Sequence, residues 1–179
     1  MSLHISDSNF DVFQLNDIGY LHFECEDMSV NDSDKKYIEC DNECPCVNPK
    51  YGYIQLFTKQ NPNIKICTPI MVCPFGFNKN THNMSLQFTN YKSDQEMKSF
   101  YEFIQQLEFL QMKILGLKEQ DMDKYISQIK HDKSNKYDPN LLVKIPFNYN
   151  KFEADIYSES YSGVSIMNIN RFTKLRCEI

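Results

Sequence analysis

The sequence predicts a single domain of the mainly β or α+β class, from its length, its composition and the order of its elements. Candidate strands come first, a pair of candidate helices follows, and more strands come last, unlike the alternation of a parallel α/β fold. The 179 residues, 41% of them hydrophobic, are enough for one domain with its own core. We expect residues 1–50 to form an acidic region with a cysteine-containing loop, and residues 51–179 to form that core.

The candidate strands of the first half are short and rich in aromatic and β-branched residues. Residues 12–23 have the pattern of one or two strands around a turn, residues 52–58 form a third candidate, and residues 83–91 alternate apolar and polar side chains. Residues 64–73 form another candidate strand. Pro69 interrupts it, and because proline has no amide hydrogen to donate, we expect a bulge or a sheet edge there.

Two amphipathic stretches follow the first strands and form the predicted helical pair. Ser93 or Asp94 can cap the first, and Gly116 ends it after a run of apolar side chains at helical spacing. The second covers residues 119–130, with its apolar side chains on one face. After a polar linker, the last candidate strands are residues 141–147, 152–157, 164–169 and 173–179.

Charge is distributed unevenly along the chain. Residues 1–47 carry eleven acidic and two basic side chains, whereas residues 48–179 carry thirteen acidic and seventeen basic ones. The fifty residues between Glu43 and Asp94 contain five Lys and seven Tyr or Phe but no Asp or Glu, where uniform composition would place about seven acids. A groove for single-stranded nucleic acid needs this combination of cations and rings without carboxylates. Buried core strands would be equally poor in acids, so both interpretations stay open.

Three cysteines lie close together within residues 26–50, a polar stretch that we interpret as a long loop. Cys40, Cys44 and Cys46 have a Cys-x3-Cys-x-Cys spacing, which differs from a standard zinc knuckle. They are either free thiols or part of a zinc site, and we expect no metal and no other cofactor. The candidates for a fourth zinc ligand are Cys25, Cys67 and His22.

The sequence carries no signature of catalysis or of membrane insertion. Its five glycines are isolated, so no phosphate-binding loop or dinucleotide fingerprint is formed, and there is no Gly-x-Ser-x-Gly. No apolar run approaches the roughly 18 residues that span a bilayer. The first residues lack a secretion signal and the number of cysteines is odd, which indicates reduced thiols. We therefore expect an intracellular binding protein with no membrane partner, not an enzyme.

Residues 68–76 read Thr-Pro-x-Met-x-x-Pro-Phe-Gly. This segment resembles the central motif of the single-stranded-DNA-binding proteins of nucleocytoplasmic large DNA viruses. The strand at 84–88 that leads into a helix at 100–108 is also similar to that family. So are the Lys-Ile-Pro-Phe of residues 144–147 and the Asp-Ile-Tyr of residues 155–157.

The resemblance covers roughly residues 50–179 and has consequences for fold and function. It implies an OB-fold-like antiparallel barrel with a helical pair inserted at residues 94–130. It also implies sequence-tolerant binding of single-stranded DNA, or of RNA, in viral DNA replication, repair or recombination. The protein would act in the host cytoplasm or viral factory, or be packaged in the virion. A closed barrel needs further strands, which a second copy in a homo-oligomer could supply.

In this hypothesis, basic side chains contact phosphates and aromatic side chains stack on bases. The candidates for phosphate contact are Lys59, Lys65, Lys79, Lys144, Lys151, Arg171, Lys174 and Arg176. The candidates for stacking are Tyr51, Tyr53, Phe57, Phe75, Phe77 and Tyr149. The alternative is a viral structural or scaffolding protein that assembles through strand edges and the acidic region of residues 1–47, without binding nucleic acid.

Overall fold

The computed structural model describes residues 3–5, 18–24, 52–58 and 64–179. Within these ranges the protein has one α-helix, α1 (Gln95–Ile114), and two short 3-10 helices, Glu119–Lys124 and Ile166–Asn168. The strands are β1 (Leu3–Ile5), β2 (Ile18–Glu24), β3 (Gly52–Thr58), β4 (Ile64–Ile66), β5 (Met71–Cys73), β6 (Asn83–Gln87), β7 (Ile129–Lys130), β8 (Asn140–Lys144), β9 (Phe147–Asn148), β10 (Lys151–Phe152) and β11 (Thr173–Leu175).

The main sheet has five strands in the order β11-β5-β6-β8-β7, and every neighbouring pair is antiparallel. Two more antiparallel pairs, β2 with β3 and β9 with β10, and one parallel pair, β1 with β4, complete the pairing of the described strands. The protein is therefore mainly antiparallel sheet with one α-helix. Across the described ranges no pairing joins β7 to β11, so this sheet is open and does not form a closed barrel.

Buried and more exposed side chains alternate along the central strands, and the buried ones form the core. On β6, Met84 and Leu86 are buried, and on β8, Leu141 and Val143 are buried, while their neighbours are partly or fully exposed. In an antiparallel sheet with one covered face, this period-two pattern places every second side chain inside. Burial of each such side chain stabilises the fold by about 1.5–3 kcal/mol.

Helix α1 covers this face of the sheet and begins and ends where the sequence predicts. The side chain of Asp94 accepts a hydrogen bond from the amide of Met97 at 3.0 Å, which caps the first turn. Gly116 follows the last turn with φ +64°, a conformation that favours glycine. Phe100 is fully buried against Phe88, the residue that follows β6, with ring centroids 5.7 Å apart. In the described part of the chain, no helix is both long enough and apolar enough to cross a membrane.

Pro69 produces the interruption that its missing amide predicts. The predicted strand of residues 64–73 is divided into β4 and β5, and the C-terminal segment pairs along both. Leu175 pairs with Met71, but the next bridge joins Glu178 to Cys67, so the register shifts by one residue across the break. The Thr68 hydroxyl accepts a hydrogen bond from the Cys177 amide at 3.0 Å within this bulge.

The second predicted helix, at residues 119–130, is wrong beyond its first turns. A 3-10 helix ends at Lys124, and Ile129 already belongs to β7. The carboxylate of Glu108 on α1 accepts hydrogen bonds from the amides of Gln128 and Ile129, which holds the start of β7 in place beside β8. As a result Ile129 is buried while Ile126 is exposed, although helical spacing predicts one shared face.

The later predicted strands are shorter than expected. In the stretch 141–147, β8 ends at Lys144 before Pro146, and in 152–157 the ladder stops at Phe152. The stretch 164–169 is not a strand. The Ser165 amide donates to the Asn168 side chain at 2.8 Å, and this capping interaction favours a 3-10 turn over an extended chain.

Parts of the N-terminal prediction lie outside the described residues. Among them are residues 12–17, the loop of residues 26–50, and with it Cys40, Cys44 and Cys46. The strand predicted at 52–58 is present as β3. For the residues that the structure does describe, no cluster of three or more His, Cys, Asp or Glu side chains could hold a metal ion.

Candidate nucleic-acid interface

One end of the main sheet gathers several of the predicted site residues. Toward this end β5 and β8 finish, while β6 and β11 begin. Asn83 pairs with Lys144 at the outermost position, and Thr173 pairs with Cys73 about three residues further in, because Val72 pairs with Gln87. Three connecting segments therefore meet there, residues 74–82, 145–152 and 169–172. We call this region the sheet end.

The hairpin formed by β9 and β10 projects from the sheet end. Tyr149 and Asn150 connect the strands with φ of +48° and +59°, the left-handed pair of a type I′ turn, which asparagine tolerates well. This turn pairs Lys151 with Asn148. Tyr149 is fully exposed at the tip and Lys151 is exposed beside it. A two-residue turn thus holds one aromatic ring and one cation next to each other in solvent.

A cluster of four rings supports the hairpin. Phe152 packs edge-on against Phe77, with centroids 5.0 Å apart, and against His82, with centroids 5.2 Å apart. Phe147 lies 4.7 Å from both Phe152 and His82. Contacts of this kind stabilise by about 0.5–1.5 kcal/mol each beyond their buried area. Phe77 is therefore half-buried and supports the surface, rather than standing free to stack.

The turn between β5 and β6 carries the next cation. The side-chain oxygen of Asn78 accepts hydrogen bonds from the amides of Asn80 and Thr81, at 3.0 and 3.3 Å, which fixes the turn around exposed Lys79. The amide of Ile145 donates to the carbonyl of His82 at 2.7 Å, so this turn is tied to the hairpin segment. Lys79 and Lys144 consequently belong to the same end of the sheet.

The third segment adds Arg171 and two exposed rings. The amide of Phe77 donates to the carbonyl of Ile169 at 3.0 Å, which joins the segments 74–77 and 169–172. On these segments Phe75 is 68% exposed and Phe172 is 72% exposed. Arg171 is exposed between Ile169 and Phe172 in the chain.

The sheet end is basic because its cations are not neutralised by neighbours. Among the residues that the structure describes, none forms an ion pair with the cations of the sheet end. Two carboxylates, Glu153 and Asp155, follow the hairpin along the chain and are also exposed. The four cations are Lys79, Lys144, Lys151 and Arg171.

Two shallow depressions flank the hairpin and differ in charge. One, of about 460 Å³, is lined by His82, Lys144, Ile145, Pro146, Phe147 and Asn148, a set without a carboxylate. The other, of about 360 Å³, includes Asp155 and Tyr157 beside Lys151 in its lining. A polyanion would be repelled by Asp155, so the first depression, which we call the His82 recess, suits a phosphate better.

Three predicted phosphate contacts lie elsewhere. Lys65 forms an ion pair with Glu178, whose hydrogen bond and charge raise the pKa of the Lys65 ammonium. Arg176 lies 3.6 Å from Glu96 in the first turn of α1. Lys174 is exposed in the middle of β11. The structure therefore does not bring these three cations to the sheet end.

The remaining candidates lie where the structure gives no side-chain position. Tyr51 and Lys59 are outside the described residues, and the side chains of Tyr53 and Phe57, on β3, are also undescribed. Of the fourteen candidates, six therefore lie at the sheet end, and a seventh, Phe77, packs beneath it. The six are Phe75, Lys79, Lys144, Tyr149, Lys151 and Arg171.

Four residues of this region were not among the sequence candidates: His82, Phe147, Phe152 and Phe172. A signal for two of them was present, because Asn148-Tyr149-Asn150 between Phe147 and Phe152 has the composition of a tight hairpin turn. His82 and Phe172 reach the sheet end only through pairing between distant segments, which local patterns do not reveal.

Comparisons with known protein families, with curated proteins and with solved structures find no match to this chain. The resemblance of residues 68–76 to the viral single-stranded-DNA-binding proteins therefore has no independent support, and the geometry of the sheet end must carry any functional proposal.

Proposed function

We propose that this protein binds single-stranded nucleic acid, foremost DNA, at the sheet end and without strong sequence preference. The observation that carries this proposal is the grouping of exposed rings with four cations that form no ion pair within the described ranges, on segments that meet at one end of the sheet. Cations at such a surface neutralise phosphates and release counterions, and the faces of Tyr149, Phe75 and Phe172 are available to stack on unpaired bases.

The wider setting in our proposal comes only from the family resemblance, which rests on residues 68–76 and on the segments 84–88, 100–108, 144–147 and 155–157. In this proposal the protein is a binding protein rather than an enzyme and takes part in viral DNA replication, repair or recombination. It acts inside the host cell or is packaged in the virion. The OB-type barrel with its inserted helices also belongs to this proposal. Closing the described sheet would require further strands between the edges β7 and β11.

The first experiment is a fluorescence-anisotropy titration with an unstructured oligothymidylate at about 50 and 200 mM salt. We expect the affinity of the wild-type protein to fall steeply between these concentrations, because each phosphate contact releases counterions. The double variant Lys144→Glu with Lys151→Glu should bind at least about tenfold more weakly and with a shallower salt slope.

A matched control separates a local effect from one of net charge. Lys133→Glu with Lys136→Glu changes the charge equally, but these exposed residues precede β8, whose first residue Asn140 lies at the opposite end of the sheet from Lys144. The control should retain wild-type affinity apart from a small long-range effect. Binding that does not respond to salt, or an equal loss in both double variants, would contradict the proposal.

A second candidate function is assembly through strand edges, as a structural or scaffolding protein or a homo-oligomer. The observation that favours it is β11, which among the described strands pairs on one side only, with β5. An unpaired edge can accept a strand of another copy, although the charge of Lys174 on β11 is of the kind that discourages such pairing. Light scattering over a wide concentration range tests this candidate, and a monomer throughout would exclude self-assembly.

A further inference from the structure

The His82 recess has walls of mixed character. Pro146 and the 38% exposed ring of Phe147 supply apolar surface, while Asn148 and Lys144 supply an amide and a cation. His82 is held in place by ring contacts with Phe147 and Phe152 and by the hydrogen bond from Ile145 to its carbonyl. The recess is thus a shaped surface with polar groups at defined positions.

Two polar side chains of the recess have no partner within the part of the chain that the structure describes. Neither the ring nitrogens of half-buried His82 nor the side-chain amide of Asn148 makes a hydrogen bond there, although the backbone of Asn148 is paired with Lys151. Neither side chain contributes to the buried polar atoms left without a partner in the described ranges, so both stay open to solvent. These groups are therefore free to bind a ligand.

We infer that the His82 recess takes one nucleobase of the bound strand, an inference that rests on the proposed function. The base would lie against the Phe147 ring, and its edge would exchange hydrogen bonds with His82 and Asn148. Lys144 at the same recess would contact the adjoining phosphate. Two further cations, Lys79 and Lys151, lie on the neighbouring segments and do not line the recess. Because they can contact additional phosphates, they favour a strand over a free mononucleotide.

The test compares two oligomers of about twelve nucleotides, one of thymidylate and one of abasic residues with the same number of phosphates. We expect the wild-type protein to bind the base-bearing oligomer at least about fivefold more tightly, the lower end of what one stacked base contributes. Asn148→Ala should reduce this preference and alter the ranking of the four homopolymers, while the salt slope stays unchanged. The matched control is Asn80→Ala, in an exposed turn that does not line the recess.

Nuclear magnetic resonance gives a second readout that does not depend on a variant. Titration with the base-bearing oligomer should shift the side-chain signals of His82 and Asn148, and titration with the abasic oligomer should not. If both oligomers bind equally well and with the same salt dependence, the base site is refuted, and of the proposed function only the binding of phosphates by the cations of the sheet end stands. If neither oligomer binds, the proposed function fails and the base site with it. If thymidine monophosphate shifts both signals as strongly as the oligomer at equal concentration, the recess is a mononucleotide site and the inference of a strand is overturned.

Discussion

A Cβ atom placed on Gly76 would lie 2.8 Å from the carbonyl oxygen of Ile169. The same carbonyl accepts the hydrogen bond from the amide of Phe77, so the two segments are in direct backbone contact. Gly76 also has φ +73°, in the left-handed region. This close approach holds the segment that carries Phe75 against the one that carries Arg171, and thereby forms part of the sheet end.

The first prediction is that Gly76→Ala destabilises the fold by more than about 2 kcal/mol. The substitution adds strain at positive φ and forces the backbone of residues 169–171 to move. Urea denaturation followed by circular dichroism measures the loss. Gly116→Ala serves as the control, because φ is +64° but, apart from its own chain neighbours, no described atom meets the added carbon within 4 Å. It should cost only about 1 kcal/mol, and equal losses in the two variants would show that the contact with Ile169 is unimportant.

The second prediction concerns the start of α1. Asp94→Ala removes the acceptor of the hydrogen bond from the Met97 amide and should cost about 1 kcal/mol of stability. Asp94→Asn keeps a side-chain oxygen at the same place and should cost much less. Thermal and urea unfolding of both variants give the comparison. Equal destabilisation by Ala and Asn would mean that the charge of Asp94 matters rather than its capping bond.

Local signals in the sequence account for the elements that were predicted correctly. Asp94 and Gly116 define the ends of α1, and Pro69 marks the break between β4 and β5, because each acts through its own backbone or its nearest neighbours. The failures have long-range causes. The chain leaves the helical path before Ile129 because Glu108, some twenty residues earlier, accepts hydrogen bonds from the amides of Gln128 and Ile129 and from the Ser127 hydroxyl.

The candidate site was predictable only in part, for the same reason. Lys79 and Lys144 reach one end of the sheet through the pairing of β6 with β8. Lys65 instead meets Glu178, which is 113 residues away in the sequence. The acid-free stretch likewise mixes surface and core: Phe75 is exposed and Phe88 is fully buried. Composition cannot separate these two rings, because both positions exclude carboxylates for different physical reasons.

The third prediction follows from this contrast between Phe88 and Phe75. Phe88→Ala should cost about 3–5 kcal/mol, because it leaves a cavity beside the rings of Phe100 and Tyr101. Phe75→Ala, at an exposed position of the same stretch, should change stability by less than about 0.5 kcal/mol. Urea midpoints of the two variants test this, and oligothymidylate titrations should show the opposite order, with affinity reduced in Phe75→Ala. A large loss of stability in Phe75→Ala would place that ring in the core instead.

The fourth prediction is a loss of stability at alkaline pH. Burial raises the pKa of the Cys177 thiol from 9.0 to about 12, and burial likewise raises the pKa of Cys73 and of Tyr101. In the unfolded chain these groups ionise at their ordinary, lower values. Their contribution to stability is therefore complete below about pH 9 and is lost as the pH rises toward 12, because only the unfolded state gains from ionisation in this window.

The measurement is the free energy of unfolding at about pH 8 and about pH 10.5, for the wild-type protein and for Cys177→Ala. The variant loses packing at both pH values, so the informative quantity is the change between them. That change should be smaller in Cys177→Ala by on the order of 1 kcal/mol, because one buried acid with a raised pKa is gone. If Cys177→Ala loses as much stability between the two pH values as the wild type, the Cys177 thiol of the wild type ionises as readily in the folded protein as in the unfolded chain. The burial of this thiol beside the Thr68 bulge argues against that result.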